Sequence, residues 1–141
     1  MYLPNKYFSD NVFKTEDIAK KFSETILQNS IIYLNGQVGS GKTCFIRKVA
    51  QCFGINKISS SSFSRIQGHF GKVNLIHCDI YREVTNRDNF LLEIESLLIE
   101  PWLLFIEWPV ELLAIPSEAQ YLVDICILDV TERSISIRQI S

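Results

Sequence analysis

The chain has 141 residues, of which 47% are apolar and 21% are charged. These proportions exclude a disordered protein, and the length is that of one domain, residues 1–141, with enough chain for a buried core. Fourteen Lys and Arg residues against sixteen Asp and Glu residues give a net charge of −2, and no basic tract favours autonomous binding to nucleic acid.

Further features of the composition favour a cytoplasmic protein. The first residues, MYLPNKYFSDN, have neither the basic start nor the apolar run of a signal peptide, and no apolar run approaches the length of a membrane span. The four cysteines are widely spaced without a C-x-x-C pair, and only two histidines accompany them. We therefore predict free thiols, no zinc site and no membrane contact.

In the first part of the chain, helical and strand patterns alternate. The segment TEDIAKKFSETILQN, residues 15–29, has apolar residues at helical spacing, and Thr15 is its expected N-cap. The apolar run IIYL, residues 31–34, is typical of a buried strand. A second amphipathic helix is predicted for residues 44–53, ending at Gly54, which is a good C-terminal cap.

The remaining elements complete an α/β pattern. Strands are predicted for residues 72–78 and 102–107, with a helix between them at residues 87–98. The tail, residues 121–140, alternates like two strands joined at VTER, residues 130–133. This order predicts an α/β domain with a mixed β-sheet, helices on both faces of the sheet and a C-terminal β-hairpin.

Residues 36–43, GQVGSGKT, match the phosphate-loop pattern G-x-x-x-x-G-K-[ST] between a predicted strand and a predicted helix. Glycines allow backbone N–H groups to surround phosphate oxygens, and the helix adds the positive end of its dipole. Lys42, expected to be exposed, can reach the β- and γ-phosphates, and the Thr43 hydroxyl can ligate Mg²⁺. The bland alternative is a glycine-rich turn that binds nothing. We predict a P-loop NTPase-like domain whose nucleotide contacts include Gly36, Gly39, Ser40, Gly41, Lys42, Thr43 and Cys44.

Two acidic residues end predicted strands: Asp79 after NLIHC, and Glu107 after WLLFI. If these strands run parallel to residues 31–34, both carboxylates lie at the sheet edge that carries the phosphate loop. Phosphoryl transfer needs carboxylates there to hold Mg²⁺ and to orient the nucleophile, so we predict both as catalytic with Lys42. His77 faces the same side as Asp79 and can be structural or functional. Trp108 can be a core residue or cover the nucleotide.

Three segments together, NGQVGSGKT, HCDIYR and IEWP, resemble the TsaE family, also called YjeE, from about Thr15 to the final hairpin. The resemblance implies that Thr15 contacts the nucleotide and that Thr43 and Glu107 hold Mg²⁺. It also implies that Asp79 is needed for activity and that Arg133 lies near the nucleotide. The chain departs from the family at Gln37, near Glu93, and at Ser60, Ser61 and Ser62, where a proline of the switch segment is missing.

What the resemblance implies is a weak Mg²⁺-dependent ATPase of bacterial tRNA threonylcarbamoyladenosine synthesis. Such a protein docks onto a TsaB–TsaD heterodimer, and its ATP hydrolysis supports transfer of a threonylcarbamoyl group to the adenosine beside the anticodon. It meets tRNA only indirectly, through this complex. Because the sequence shows no complete set of charge-stabilising residues, hydrolysis is expected to depend on the partners.

Three other functions are compatible with a phosphate loop. A small-molecule kinase needs an acceptor pocket and a lid, for which 141 residues leave little chain. A GTPase needs a guanine-reading motif like N/T-K-x-D, and NKIS at residues 56–59 lacks the aspartate. A nucleotide-gated binding module with vestigial hydrolysis is the third, and the serine-rich switch segment is compatible with it.

Overall fold

The computed structural model describes residues 1–58, 66–79, 87–107 and 113–141. The strands in these ranges are β1 (Asn5–Ser9), β2 (Ser30–Asn35), β3 (Ile66–His69), β4 (Asn74–Asp79), β5 (Trp102–Glu107), β6 (Gln120–Ile127) and β7 (Arg133–Gln139). The helices are α1 (Val12–Ser23), α2 (Lys42–Cys52) and α3 (Arg87–Leu97). No helix within these ranges is long and apolar enough to cross a membrane.

One mixed sheet has the strand order β1-β7-β6-β2-β5-β4-β3. Its centre is parallel, because β2 pairs in parallel with β5 and β6, and β4 pairs in parallel with β5. The flanks are antiparallel: β7 pairs with β6 and β1 on one side, and β3 pairs with β4 on the other. The predicted α/β class, mixed sheet and C-terminal hairpin are confirmed.

Helices cover both faces of this sheet, as predicted. The apolar residues of α1 and α2 share one core with alternate side chains of the strands, among them Leu34 of β2 and Phe105 of β5. The intervening side chains, such as Tyr33 and Ile106, face α3 and form a second core. Because successive strand residues point to opposite faces, the central strands must be apolar on both sides. This explains the unbroken runs IIYL and WLLFI.

The first helix begins earlier than predicted, and Thr15 is not its N-cap. Asn11 caps α1, and its side chain accepts a hydrogen bond from the backbone N–H of Lys14 at 2.9 Å. The apolar periodicity did not predict the first turn, because the apolar residues of that turn, Val12 and Phe13, are exposed and do not join the core. The helix also ends at Ser23 rather than at residue 29, although Ile26 beyond it remains in the core.

Two strands had no clear signal in the sequence. The edge strand β1 buries only Ser9, so its residues NKYFS lack the apolar alternation of a half-buried strand. The strand β3, with the sequence IQGH, has four residues and an internal glycine, and none of its residues is fully buried. Both strands form because the neighbouring strands β7 and β4 offer unpaired backbone groups, a tertiary effect that local propensity does not encode.

Candidate functional site

The two predicted carboxylates lie at the same edge of the sheet. In the parallel pairing of β4 with β5, Asp79 is directly opposite Glu107. In the parallel pairing of β2 with β5, Glu107 is opposite Leu34, just before β2 ends at Asn35 and the phosphate loop begins. The predicted parallel direction of the strands is therefore correct, and the carboxyl ends of β2, β4 and β5 meet at one place.

The phosphate loop owes its shape to glycines at its two ends. A Cβ on Gly36 would lie 2.6 Å from the Ser40 Oγ and 2.7 Å from the Ile125 carbonyl oxygen, so only glycine fits there. Gly41 caps α2 with φ 111°, a backbone conformation that side chains disfavour. The buried Ser40 Oγ has no hydrogen-bond partner in the part of the chain that the structure describes. A phosphate oxygen would provide one.

Lys42, the first residue of α2, is buried, and the expectation of an exposed side chain is wrong. Its Nζ donates hydrogen bonds to the carbonyl oxygens of Gly36 and Gln37, so the side chain folds back over the loop. Burial lowers the pKa of Lys42, and the carboxylates of Glu107 and Asp79 oppose this effect. The ammonium group is thus within electrostatic reach of both predicted catalytic acids.

Glu107 has a second partner, His77. The imidazole Nε2 lies 2.5 Å from the Glu107 Oε2, and both residues are only 6% exposed. His77 is two residues before Asp79 on β4, and Glu107 ends β5, so the contact joins neighbouring strands on one face of the sheet. The sequence left His77 open between a structural and a functional role, and the structure places it against a predicted catalytic acid.

A cavity of about 400 Å³ opens beside the phosphate loop. Six predicted nucleotide-binding residues line it: Thr15, Gly39, Ser40, Gly41, Cys44 and Arg133. Five further lining residues, which sequence reasoning missed, are Asp10, Asn11, Val12, Val130 and Thr131. They come from segments near the two ends of the chain, the first residue of α1 with the two residues before it and the β6–β7 turn. No local pattern shows that these segments meet.

Two side chains of this cavity have chemistry constrained by their surroundings. Thr15 is 5% exposed, and its Oγ1 lies 2.8 Å from the Ser9 Oγ, which itself donates to the Asn11 carbonyl oxygen. The Thr15 hydroxyl therefore ties α1 to β1. Cys44 is half-buried, and burial is the main cause that raises the pKa of its thiol. Cys44 is consequently expected to line the wall rather than to act as a nucleophile.

Arg133 attaches the final hairpin to the phosphate loop. Its Nε donates to the Ser40 carbonyl oxygen at 3.1 Å, and its Nη2 donates to that of Gly39 at 3.2 Å. Its Nη1 donates to three carbonyl oxygens of the β6–β7 turn, those of Asp129, Val130 and Glu132. The guanidinium thus holds together two segments about 90 residues apart, both of which line the cavity.

We expect Arg133→Ala to loosen the loop. Loss of these hydrogen bonds should destabilise the protein by about 1–3 kcal/mol and weaken ATP binding, because the loop backbone is no longer held in place. Thermal unfolding and calorimetric titration with ATP measure the two effects. Arg138→Ala, an exposed arginine on the same strand, is the control. Equal ATP affinities in the two variants would show that the hairpin contact does not organise the loop.

Several predicted residues lie outside the described residues. They are Trp108 and the serines of the switch segment, Ser60, Ser61 and Ser62. The predicted metal ligands Thr43 and Glu107 are described, and with Asp79 they offer the oxygen ligands that Mg²⁺ prefers. No group of three or more His, Cys, Asp or Glu residues that could hold a metal occurs in the described ranges. At nucleotide sites Mg²⁺ takes only one or two protein ligands, and phosphate and water supply the others.

Comparison with known proteins agrees with this architecture. The family model "Threonylcarbamoyl adenosine biosynthesis protein TsaE" matches residues 9–137. The tRNA threonylcarbamoyladenosine biosynthesis protein TsaE of Rickettsia bellii is 37% identical over 101 residues, which are 67% of this chain and 67% of the relative. The protein of the same name from Rickettsia typhi is 32% identical over 129 residues, 89% of each chain.

A solved structure shows the same fold. The crystal structure of Bacillus subtilis YdiB superposes with a TM-score of 0.72 at 23% identity, covering 97% of this chain and 86% of that one. The matches to the family model and to the two relatives confirm the sequence resemblance that rested on the phosphate loop, HCDIYR and IEWP. The chain belongs to the TsaE family, which takes part in tRNA threonylcarbamoyladenosine biosynthesis.

Proposed function

We propose that this protein is the cytoplasmic, Mg²⁺-dependent ATP-hydrolysing subunit that supports threonylcarbamoyl transfer to the adenosine beside the anticodon of tRNA. It acts with a TsaB–TsaD heterodimer and meets tRNA through that complex. One observation carries the ATPase part of the proposal: Asp79 and Glu107 lie opposite each other at the sheet edge where the phosphate loop leaves β2. Family membership supports the role in tRNA modification.

Nucleotide binding follows from the chemistry of the loop. Backbone N–H groups of the loop and the N-terminal end of α2 offer donors and positive potential to the phosphates. Lys42 donates to the Gly36 and Gln37 carbonyl oxygens in the free protein, and phosphate oxygens are stronger, charged acceptors that can replace them. The buried Ser40 hydroxyl gains a partner in the same way. The cavity lined by Thr15, Cys44 and Arg133 leaves room for the rest of the nucleotide.

The roles of the catalytic residues follow from their positions. Bound Mg²⁺ would neutralise developing phosphate charge, and Thr43 and Glu107 are the residues that would hold it. Asp79, beside Glu107, orients the attacking water and accepts its proton. Lys42 stabilises negative charge on the transferring phosphoryl group. Thr43, Glu107 and Asp79 thus serve metal binding and water orientation. Stabilisation of the negative charge in the transition state depends on Lys42 and the metal.

The position of Arg133 supports a slow intrinsic rate. An arginine that stabilises the transition state must direct free N–H groups at the transferring phosphoryl group. The guanidinium of Arg133 already donates to five backbone carbonyl oxygens of the loop and the hairpin. It therefore acts as a tether of the loop, and a partner protein can supply the missing charge in trans.

We expect the heterodimer to accelerate hydrolysis. Because a charge supplied in trans is worth about 10³–10⁵ in rate in other phosphoryl-transfer systems, a rise of at least about tenfold is expected here. Steady-state ADP release with and without the cognate TsaB–TsaD pair measures it. Lys42→Ala with the heterodimer present is the control for contaminating ATPase activity. Equal rates in both conditions would contradict the helper role and favour a small-molecule kinase, which would form a phosphorylated product in step with ADP.

A further inference from the structure

His77 and Glu107 form a buried hydrogen bond between neighbouring strands, next to the two predicted catalytic carboxylates. On β4, His77 is opposite Phe105, and Asp79 is opposite Glu107, all on the face covered by α1 and α2. On that face of the sheet, the pair His77–Phe105 comes directly before the pair Asp79–Glu107, so the His77 ring lies next to the two carboxylates. From there its Nε2 reaches diagonally to the Glu107 Oε2 at 2.5 Å. Both side chains are nearly buried, so this hydrogen bond is little weakened by water.

We propose that His77 is a positioning residue for Glu107. Its Nε2–H donates to the Glu107 Oε2 and holds the carboxylate so that the other oxygen faces the phosphate loop. The inference rests on the proposed function only in the purpose of this orientation, which is metal binding. Groups that hydrogen-bond a metal-ligating carboxylate fix its orientation, and their loss typically costs a substantial part of the metal affinity.

The hydrogen-bond pattern determines which nitrogen carries the proton. The Nδ1 of His77 is buried and has no partner in the described ranges. A neutral imidazole has one donor and one acceptor, and a proton on Nε2 pairs the donor with a carboxylate oxygen. A proton on Nδ1 would leave a buried donor unpaired and place a bare nitrogen against the carboxylate. We therefore assign the Nε2–H tautomer.

The orientation of the Glu107 carboxylate also affects Lys42. Its ammonium group is electrostatically coupled to Glu107, so an unrestrained carboxylate would be drawn towards it. A direct ion pair would take Lys42 away from the phosphates and Glu107 away from the metal. By holding Oε2 in the hydrogen bond, His77 keeps both groups available for the nucleotide.

The first test uses the free protein. ¹⁵N NMR of the histidine side chains reports the tautomer directly, without nucleotide or metal. We expect the Nε2–H signature for His77 and a change in that signature in Glu107→Gln, which removes the charged acceptor. An Nδ1–H tautomer in the wild-type protein would overturn the proposal. This measurement does not depend on whether the protein hydrolyses ATP.

The second test compares three variants by calorimetry with ADP, with and without Mg²⁺. His77→Leu removes the donor, whereas His77→Gln retains an amide N–H at the approximate place of Nε2. His69→Leu is the control. His69 is the other histidine of the chain, and it lies on the neighbouring strand β3 opposite Leu75 rather than beside the carboxylates. We expect His77→Leu to lose about 10- to 100-fold of the affinity gained from Mg²⁺. His77→Gln should keep most of that gain and His69→Leu all of it. Without Mg²⁺, His77→Leu alone should bind ADP somewhat more weakly, because the released Glu107 can pair with Lys42.

Each outcome decides between a positioning role and a merely structural role. Equal losses in His77→Gln and His77→Leu, or no loss in either, would overturn the proposal. If His77→Leu does not fold, His77→Asn replaces it, because its amide nitrogen corresponds to Nδ1 and leaves Glu107 without a donor. A wild-type protein that gains no ADP affinity from Mg²⁺ would refute the metal-dependent function, while the NMR result would still decide whether His77 orients Glu107.

Discussion

Replacement of Lys42 by alanine is expected to abolish ATP hydrolysis and to weaken ATP binding while the fold is retained. The ammonium group is the cation that the loop offers to the phosphates, and it already hydrogen-bonds the loop carbonyl oxygens of Gly36 and Gln37. Removing one such stabilising group costs about 10²- to 10³-fold in rate. The loss of hydrogen bonds to a charged group costs about 1.5–3 kcal/mol of binding free energy.

The fold should survive this change even though Lys42 is buried. Four apolar residues anchor α2 to the core, and they are unaffected: Phe45, Ile46, Val49 and Ala50. Lys42→Ala also removes the free-energy cost of burying a charged ammonium group, the same cost that lowers the pKa of Lys42. Circular dichroism checks the fold, and calorimetry and ADP release measure the function. Lys48→Ala on the same helix is the matched control, since Lys48 pairs with Glu16 at 3.9 Å. Unchanged ATP binding in Lys42→Ala would refute the phosphate-loop assignment.

Neutralising either carboxylate is expected to reduce hydrolysis far more than the nucleotide affinity measured without Mg²⁺. Glu107→Gln and Asp79→Asn keep the shape of each side chain but remove its charge, so metal binding and water orientation are lost. We expect at least about a 10²-fold fall in kcat for each variant. In Glu107→Gln the new amide oxygen can still accept a hydrogen bond from His77, which limits any structural effect of that change.

The double variant tests whether the two acids act together. Because Asp79 and Glu107 are opposite each other across β4 and β5, they are expected to serve one metal–water arrangement. The double variant should then be little slower than the slower single variant. Single-turnover hydrolysis at saturating ATP and Mg²⁺ measures all three variants, with the exposed Glu95→Gln of α3 as the control. Losses that multiply would show independent roles.

Much of the site could be predicted because its signals are local. The strand, phosphate loop and helix are consecutive in sequence, and each has its own periodicity or glycine pattern. The unbroken apolar runs before Asp79 and Glu107 indicated central parallel strands, which carry their last residues to one edge. The pairing of Asp79 with Glu107 is therefore a consequence of sequence pattern and the rules of parallel sheets.

Other features depend on contacts between distant segments, which only the tertiary structure shows. His77 lies 30 residues from Glu107, and Arg133 lies 93 residues from Ser40. The sequences of β1 and β3 lack a strand pattern. These strands form because β7 and β4 have unpaired backbone N–H and C=O groups with which they can hydrogen-bond. Lys42 is buried because its side chain folds back on the loop, which residue type alone does not predict. The sequence by itself determined which chemical groups reach the phosphate edge, and packing decided how each one is held.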